Sequence, residues 1–395
     1  MHEMPAAVAP PRRKALSSRC FVIRMRGGDT NDRIVVVLAI LPLGARSGRP
    51  WRDRQLCPAS AGGLDPSKIS SDEIKALEQR LTDAGCYKGA IDGSANPALD
   101  DAMKACPDQH PFLRVETGMH TAPIDHIGVD AACTLLATAS ADKTVRLWSL
   151  PDGKLKRVIR LPIGEGNLGK VHATALSPDG RLLAAGGWDA AVGKTGKHSL
   201  TVIDLSNGAV RRLGLFEDAV LEVAFSADGR FIAVGLRGGN GVRVLSSATG
   251  AELLADRDYG DDVYGLAFAP DGALITSSWD GQLRRYGPDQ KLTAKRAADG
   301  VRPNGVAVDR GGRYVAVGHQ GQEKASILDA KTLAPLANAE TGGLGNGDLL
   351  TVAWSRDGAT LVAGGGWILR RFDTSGRRKG EDIIASHYWV YDVQP

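Results

Sequence analysis

The sequence holds few residues in patterns that support catalysis. It contains no GxSxG nucleophile motif and no HExxH zinc motif. The nearest phosphate-binding pattern, GWDAAVGKT at 187–195, has five residues between its glycines instead of four, and no helical pattern follows it. The recurrent Asp-Gly pairs are typical of hairpin turns, which need positive φ. We therefore predict no catalytic residues, and the sequence indicates no cofactor.

Aromatic and cationic side chains recur at one place in a repeated pattern. Trp188, Trp279 and Trp367 each follow an apolar run that ends in small residues, in AAGGWD, ITSSWD and VAGGGW. Arg237 and His319 follow the equivalent runs elsewhere in the chain. Tryptophan and arginine are enriched at binding hot spots, so one reading is a platform for a partner. The other is that each ring packs inside the fold.

The elements that must position these residues are short strands in a repeating unit. Residues 120–150, HTAPIDHIGVDAACTLLATASADKTVRLWSL, contain three apolar runs of strand length separated by polar turns. Similar units follow, and their turn glycines at 180, 229, 272, 312 and 358 are spaced by 49, 43, 40 and 46 residues. A propeller blade of four strands repeats at about 40–45 residues. The fold class predicted is therefore mainly β, a β-propeller.

The first unit resembles a WD40 repeat. His120 stands at the position of the family's Gly-His histidine, and Ser140, Asp142 and Trp148 match its strand-b serine, turn aspartate and strand-c tryptophan. The resemblance implies that these four side chains form a structural hydrogen-bonded tetrad inside a blade. Ser149 replaces the signature aspartate, and the later units lack the complete tetrad. The resemblance covers residues 112–395 and implies a fold rather than an activity.

The repeats predict six complete blades and an incomplete seventh. The blades are expected at about 119–150, 168–208, 218–250, 260–289, 300–332 and 346–376. Residues 389–395 then read as strand a of a seventh blade, and 112–117 as the outer strand that closes the ring. The chain is accordingly interpreted as truncated at its C-terminus. The alternative is a six-bladed ring with an unpaired C-terminal tail.

A propeller would bring the candidate binding residues to one face, because its b–c and d–a loops emerge together. Tyr264 and Trp389 would join the b–c loop residues there. The candidate partner-binding face therefore comprises Trp188, Trp279, Trp367, Arg237, His319, Tyr264 and Trp389.

Residues 1–66 form a basic head and linker. Residues 1–56 carry 11 Lys and Arg against 4 Asp and Glu, whereas the rest of the chain is close to neutral. That near-neutral remainder argues against an electrostatic nucleic-acid binder. The apolar run IVVVLAILPL at 34–43 is too short to span a bilayer and is typical of a signal-peptide core. We predict a periplasmic or secreted protein. A buried strand or an uncleaved anchor is the alternative, and the protein would then be cytoplasmic.

Residues 67–111 predict a small helical module. A helix begins near the sequence Ser-Ser-Asp-Glu at 70–73, and Leu99, Ala102 and Met103 form a second apolar face. The spacing of Tyr87 and Asp92-Gly93 resembles the peptidoglycan-binding-like helical domain. That resemblance implies docking to the cell wall. A plain packing or docking role is the alternative.

The five cysteines, at positions 20, 57, 86, 106 and 133, show no zinc-ligand spacing. Cys86 opens the loop after the first predicted helix of the module and Cys106 ends the second, so the two are a candidate disulfide in an oxidising compartment. The alternative is two reduced core cysteines. Cys57 and Cys133 are a weaker second pair.

The sequence as a whole predicts a non-catalytic interaction scaffold of the cell envelope. Its propeller face would bind a protein partner, and its small module would dock to peptidoglycan. One alternative is the regulatory or sensor portion of a longer protein whose enzymatic part is absent. A second is a lactonase-like propeller enzyme, suggested by Pro303-Asn304-Gly305, although no acidic metal ligands can be placed for it.

Overall fold

The computed structural model describes residues 22–23, 71–83, 87–94, 96–99, 102, 118–150, 152–189, 196–344, 348–366, 368–384 and 392–394. The described residues fall into two compact units, one within 42–116 and the other formed by the rest. Among them, no helix has the length and apolar character needed to cross a bilayer.

The larger unit contains six antiparallel sheets of four strands, each built from strands consecutive in the chain. We number these sheets as blades 1 to 6. Blades 1 to 3 are β2–β5 (Ile124–Val129, Leu135–Ser140, Thr144–Ser149, Leu155–Arg160), β6–β9 (Val171–Leu176, Leu182–Gly187, His198–Asp204, Val210–Phe216) and β10–β13 (Val220–Phe225, Phe231–Leu236, Val242–Ser246, Glu252–Asp256). Blades 4 to 6 are β14–β17 (Val263–Phe268, Leu274–Ser278, Gln282–Tyr286, Leu292–Ala297), β18–β21 (Pro303–Val308, Tyr314–His319, Ala325–Asp329, Pro335–Asn338) and β22–β25 (Thr351–Trp354, Leu361–Gly364, Ile368–Phe372, Ile383–Ile384).

The blades are arranged around an axis as a β-propeller, with the first strand of each blade innermost. Successive inner strands contact each other, from β2 through β6, β10, β14 and β18 to β22. This packing is close. A Cβ on Gly128 of β2 would come within 2.9 Å of the Cα of Ala175 on β6, so the neighbouring backbone requires glycine there. The six predicted blades are confirmed.

A two-stranded sheet lies between blade 6 and blade 1. Its strands are β1 (Val22–Ile23) and β26 (Val393–Gln394), paired antiparallel, and β26 contacts both β22 and β2. The C-terminal strand expected within 389–395 therefore forms the innermost strand at a seventh position. Val22–Ile23 belongs to the segment predicted as a head and linker, and its pairing with β26 had no signal in the sequence. The strand predicted at 112–117 lies outside the described residues.

The predicted blades end before their fourth strands. These outer strands are largely exposed, and five of the six residues of β17 are exposed. An exposed edge strand needs no apolar alternation, so its sequence carries a weak strand signal. The first three strands of each blade are more buried, and their apolar runs made them recognisable in the sequence.

The smaller unit has a compact apolar centre. The helix α1 (Ser71–Asp83) buries Leu81 against Tyr87, Leu99 and Ala102. The backbone N–H of Gly93, in the Asp92-Gly93 turn, donates to the buried Glu78 carboxylate at 2.8 Å. The turn is thus fastened to the helix. Of the second predicted helix, the structure describes a helical turn at 97–99 and Ala102. Cys86 and Cys106 lie outside the described residues, as does Cys57.

Blade 1 contains a buried hydrogen-bonded network. His120 Nδ1 lies 2.8 Å from Asp142 Oδ2, and His120 Nε2 lies 2.7 Å from Thr138 Oγ1. Trp148 Nε1 donates to the same Thr138 hydroxyl at 2.9 Å. A carboxylate only accepts hydrogen bonds, so Nδ1 carries the hydrogen, and in the neutral ring Nε2 accepts from the threonine.

The assignment of Ser140 to this network was wrong. The strand-b hydroxyl between His120 and Trp148 belongs to Thr138. Ser140 Oγ donates instead to the carbonyl of Ala122 at 3.0 Å and accepts the backbone N–H of Asp142. Ser140 therefore shapes the turn that presents Asp142 to the histidine.

Blade 4 builds an equivalent network from different residues. The Tyr259 hydroxyl lies 2.8 Å from Thr276 Oγ1 and 2.9 Å from the Tyr286 hydroxyl, and Tyr286 donates to Asp256 at 2.7 Å. By strand register Thr276 corresponds to Thr138, and Tyr286 to Trp148. Burial raises the pKa of Tyr259 to about 12, so it stays a neutral donor. We expected the later repeats to lack the tetrad, and here tyrosines replace it.

Four blades bury an arginine at one position of their third strand: Arg146, Arg243, Arg284 and Arg370, each at most 3% exposed. Arg284 pairs with Asp280 at 2.7 Å and donates to the carbonyl of Asp258. Arg370 forms a bidentate pair with Asp382 and donates to the carbonyls of residues 340 and 342. Arg284 and Arg370 thereby connect the third strand of their blade to the loop that precedes its first strand.

Thr138→Val should destabilise the protein more than an ordinary buried hydroxyl deletion. Valine keeps the shape but leaves His120 Nε2 and Trp148 Nε1 without a partner, at a cost of about 2–4 kcal/mol. Thr174→Val is the matched control, since buried Thr174 Oγ1 makes one hydrogen bond, to the Ala184 carbonyl. Urea denaturation would measure both losses. Equal losses would contradict the assignment of Thr138 to the network.

Candidate functional site

Five of the six inner strands carry a β-bulge at the same place, near the start of the strand. A bulge re-aims a side chain and often lies beside a functional site. The bulged residues come from five consecutive blades, and they are Asp125, His172, Leu221, Tyr264 and Asn304–Gly305. They form a series around the end of the channel where the b–c and d–a loops emerge.

One aromatic cluster on this end surrounds Trp188. Its Nε1 donates to His172 Nε2 at 2.9 Å, and its ring meets the ring of His198 edge-on at 5.6 Å. The guanidinium of Arg237, from blade 3, lies 5.2 Å from the Trp188 ring. Trp188 is half-buried and Arg237 is exposed, so the stack keeps an open side.

A second cluster surrounds Trp279. The ring of Tyr264 lies 4.5 Å from the Trp279 ring, and Trp279 Nε1 donates to Asn304 Oδ1 at 3.1 Å. The guanidinium of Arg302 lies 5.3 Å from the same ring and is exposed. Arg302 has φ of +43°, which is unusual for a residue other than glycine. This turn conformation places the Arg302 guanidinium beside the Trp279 ring.

Asp262 connects the two clusters. Its Oδ1 accepts the backbone N–H of Gly238, next to Arg237, at 2.7 Å. Burial, followed by the charge and hydrogen bond of Asp262, raises the pKa of Tyr264 above its ordinary value. We name the surface formed by Trp188, Arg237, Tyr264, Trp279 and Arg302 the tryptophan face.

The structure brings together four of the seven predicted face residues: Trp188, Arg237, Tyr264 and Trp279. His319 was predicted wrongly, because it is 0% exposed and its ring nitrogens contact Val301 O and Ser326 Oγ, each at 3.3 Å. Burial lowers the pKa of His319, as expected for a neutral core histidine. Trp367 and Trp389 lie outside the described residues.

Trp188 and Trp279 pack between neighbouring blades, as one of the two readings predicts, and whether they bind a partner stays a prediction. Trp279 bonds to Asn304 of the next blade and Trp188 stacks with Arg237 of the next blade, so each ring bridges blades. Each also keeps part of its surface exposed. Sequence reasoning missed Arg302, whose only signal is its position before Pro303 in a d–a loop.

Inside the channel, three charged side chains from distant parts of the chain meet. His126 Nε2 lies 2.8 Å from Glu222 Oε1 and 3.5 Å from Asp392 Oδ2, and His126 Nδ1 lies 2.9 Å from the carbonyl of Thr174. Asp392 also accepts the backbone N–H of Ile127 at 3.0 Å. We name His126, Glu222 and Asp392 the channel cluster. No sequence motif marked it.

Burial and neighbouring charges change the pKa values of His126 and Glu222 in the channel cluster. Burial alone would lower the pKa of His126, but the charges of Glu222 and Asp392 outweigh it and raise the pKa to about 9. Burial raises the pKa of Glu222 against the opposing effect of the His126 charge. At neutral pH His126 is therefore charged.

The comparisons with known proteins agree with this architecture. The model of the WD domain, G-beta repeat, matches residues 115–149, 160–192 and 256–286, which fall in blades 1, 2 and 4. The propeller carries WD40 repeats. The matched segments include the tetrad of blade 1 and the tyrosine network of blade 4.

Two relatives support the same conclusion. The chain is 27% identical over 161 residues, 41% of its length, to the WD repeat-containing protein SL1-17 of Schistosoma mansoni. It is 37% identical over 84 residues, 20% of its length, to autophagy-related protein 18 of Meyerozyma guilliermondii. The matches span 49% of the first relative and 15% of the second.

The pH dependence of stability should report the channel cluster. His126 has a folded pKa of about 9 against 6.5 unfolded, so its contribution is full below pH 6.5 and is lost as the pH rises to about 9. The loss is on the order of 3 kcal/mol. The raised pKa of Glu222 acts in the same direction. Because the folded state favours the protonated carboxyl, the protein loses stability as the pH rises and the proton leaves.

Urea denaturation at pH 6.5 and pH 9 would measure this loss, which should shrink in His126→Gln. His198→Gln is the control. Burial lowers the pKa of His198, so its titration lies below this pH window. An unchanged loss of stability between pH 6.5 and pH 9 in His126→Gln would contradict the assignment.

Proposed function

We propose that the propeller is a non-catalytic interaction scaffold and that the tryptophan face binds a protein partner. The observation that carries this proposal is the pair of tryptophan–arginine stacks on one end of the ring, each with an exposed guanidinium. Half-buried tryptophans held by hydrogen bonds lose little entropy on binding. Stacked arginines present donors to carbonyl and carboxylate groups of a partner.

Several features of the fold support an interaction role. Bulges aim side chains from five consecutive blades toward the same end of the ring, and buried arginines hold the loops there. One of the two relatives is named as a WD repeat-containing protein. A rigid surface of this kind suits binding without rearrangement.

Substitution on the tryptophan face should weaken partner binding. A photo-crosslinker placed at Asp261, an exposed residue beside the face, would identify the partner, and titration with the purified partner would give affinities. Arg237→Ala and Trp279→Ala should each reduce affinity by about tenfold or more, as expected for hot-spot residues.

The matched control is Arg230→Ala. Arg230 is an exposed arginine stacked on Phe231 at 5.4 Å, but it lies on an a–b turn at the opposite end of blade 3. Its removal should change affinity less than twofold, within the range of a neutral contact. If Arg230→Ala weakened binding as much as Arg237→Ala, the binding surface would not be confined to the tryptophan face and the proposal would be contradicted.

We further propose that the protein works in the cell envelope and that the small module docks it to peptidoglycan. The signal-like run at 34–43 and the module's resemblance to peptidoglycan-binding-like domains support this. The fastening of the Asp92-Gly93 turn to α1 gives the module a defined shape.

Co-sedimentation with isolated cell-wall sacculi would test attachment. The full chain should pellet, and a chain lacking residues 68–111 should stay in the supernatant. The Arg230→Ala protein serves as a control for nonspecific basic adsorption and should pellet like the full chain. Pelleting of the deleted chain would assign attachment to another segment.

A further inference from the structure

The channel contains a cavity of about 390 Å³, within the range of small-molecule sites. It is lined by the inner strands of five blades and by β26. Tyr264 and Asn304 line it, and both take part in the clusters of the tryptophan face. The cavity is a second potential site beside the tryptophan face, and the two share Tyr264.

The charges that line this cavity are unequal. Glu222 and Asp392 provide two carboxylates, and His126 is the one basic side chain among the described lining residues. Each of the three side chains is only 10–12% exposed. One basic side chain therefore faces two largely buried carboxylates, and an added cationic group would find a charged acceptor there.

The rest of the wall suits an organic cation. Four aromatic side chains line the cavity: Phe225, Tyr264, Phe268 and Trp354. Aromatic faces attract cations, and the attraction grows when water is excluded. The apolar strand residues beside them would accommodate the methylene chain that joins a cationic group to a larger molecule.

We propose that the cavity binds an ammonium or guanidinium group carried on a methylene chain, as in lysine or arginine. Glu222 and Asp392 would pair with the cationic group, and the aromatic walls would enclose its chain. The same chemistry has two sources, a free amino-acid derivative or a side chain of a bound protein.

Calorimetric titration of the full chain tests the site without any substitution. The probes are Nα-acetyl-L-lysine amide and Nα-acetyl-L-arginine amide, with the neutral Nα-acetyl-L-glutamine amide as control. At least one cationic probe should bind about tenfold or more tightly than the glutamine probe. Equal affinity for all three, or no binding at millimolar concentration, would overturn the proposal.

A conservative substitution then locates the site. Glu222→Gln keeps the shape and a hydrogen-bond acceptor but removes the charge, and it should reduce affinity for the cationic probe by about tenfold or more. Glu252→Gln is the matched control on exposed strand β13, outside the cavity. Thermal melts of both variants would verify folding. Unchanged affinity in a folded Glu222→Gln protein would place the cation elsewhere and overturn the proposal.

The length of the probe distinguishes the two possible sources of the cation. A capped pentapeptide with a central lysine should bind at least as well as the single derivative if a partner protein supplies the group, and more weakly if the ligand is free. Either result supports a cation site and identifies its source. The titrations use no protein partner, so their failure would leave the proposed role of the tryptophan face to its own test.

Discussion

Each blade must fasten a long loop to the strand that this loop enters, and buried polar side chains do so. In blade 1 the anchor is His120, held by Asp142 and Thr138. In blade 4 tyrosines and Arg284 replace it, in blade 6 buried Arg370 reaches carbonyls of the preceding loop, and in blade 3 buried Arg243 donates to the Glu217 carboxylate of that loop. Such anchors are costly to bury unless they are fully bonded, which ties loop position tightly to strand register. The tryptophan face adjoins these loops, because Arg302 lies on one of them and Trp188, Arg237 and Trp279 lie on the b–c loops at the same end.

The sequence predicted the repeat, the turn positions and the first three strands of each blade, because Asp-Gly turns and apolar runs are local signals. The assignment of Ser140 shows where local signals stop. Thr138 and Ser140 lie two residues apart and so point to the same side of one strand. Sequence alone cannot decide which of the two hydroxyls His120 reaches. That choice depends on how deeply the loop carrying the histidine enters the blade.

The face residues illustrate the same limit. Arg237 follows β11, whereas His319 is the last residue of β19 and corresponds in strand register to the buried Leu236. Arg237 is accordingly exposed and His319 fully buried. The neighbouring loop adds to this difference. A Cβ on Gly300 would come within 2.7 Å of His319 Nδ1, so the chain at 300–301 passes directly over the imidazole. No comparable backbone covers Arg237 among the described residues, and its guanidinium can stack on Trp188. The path of a d–a loop is a long-range property that a repeat pattern does not contain.

The channel cluster is the most distant of these relations, joining residues near the start and the end of the propeller. Asp392 accepts the N–H of Ile127, and Val393 donates its N–H to Thr351 at 3.0 Å, so β26 is fixed to blades 1 and 6 by polar contacts. The short strand that completes the ring is also one wall of the central cavity. Any molecule that binds this wall in the folded state stabilises the closed ring by the same free energy, because binding and closure are thermodynamically linked. Ring closure and the chemistry of the channel therefore share Asp392, which bonds to blade 1 and belongs to the channel cluster.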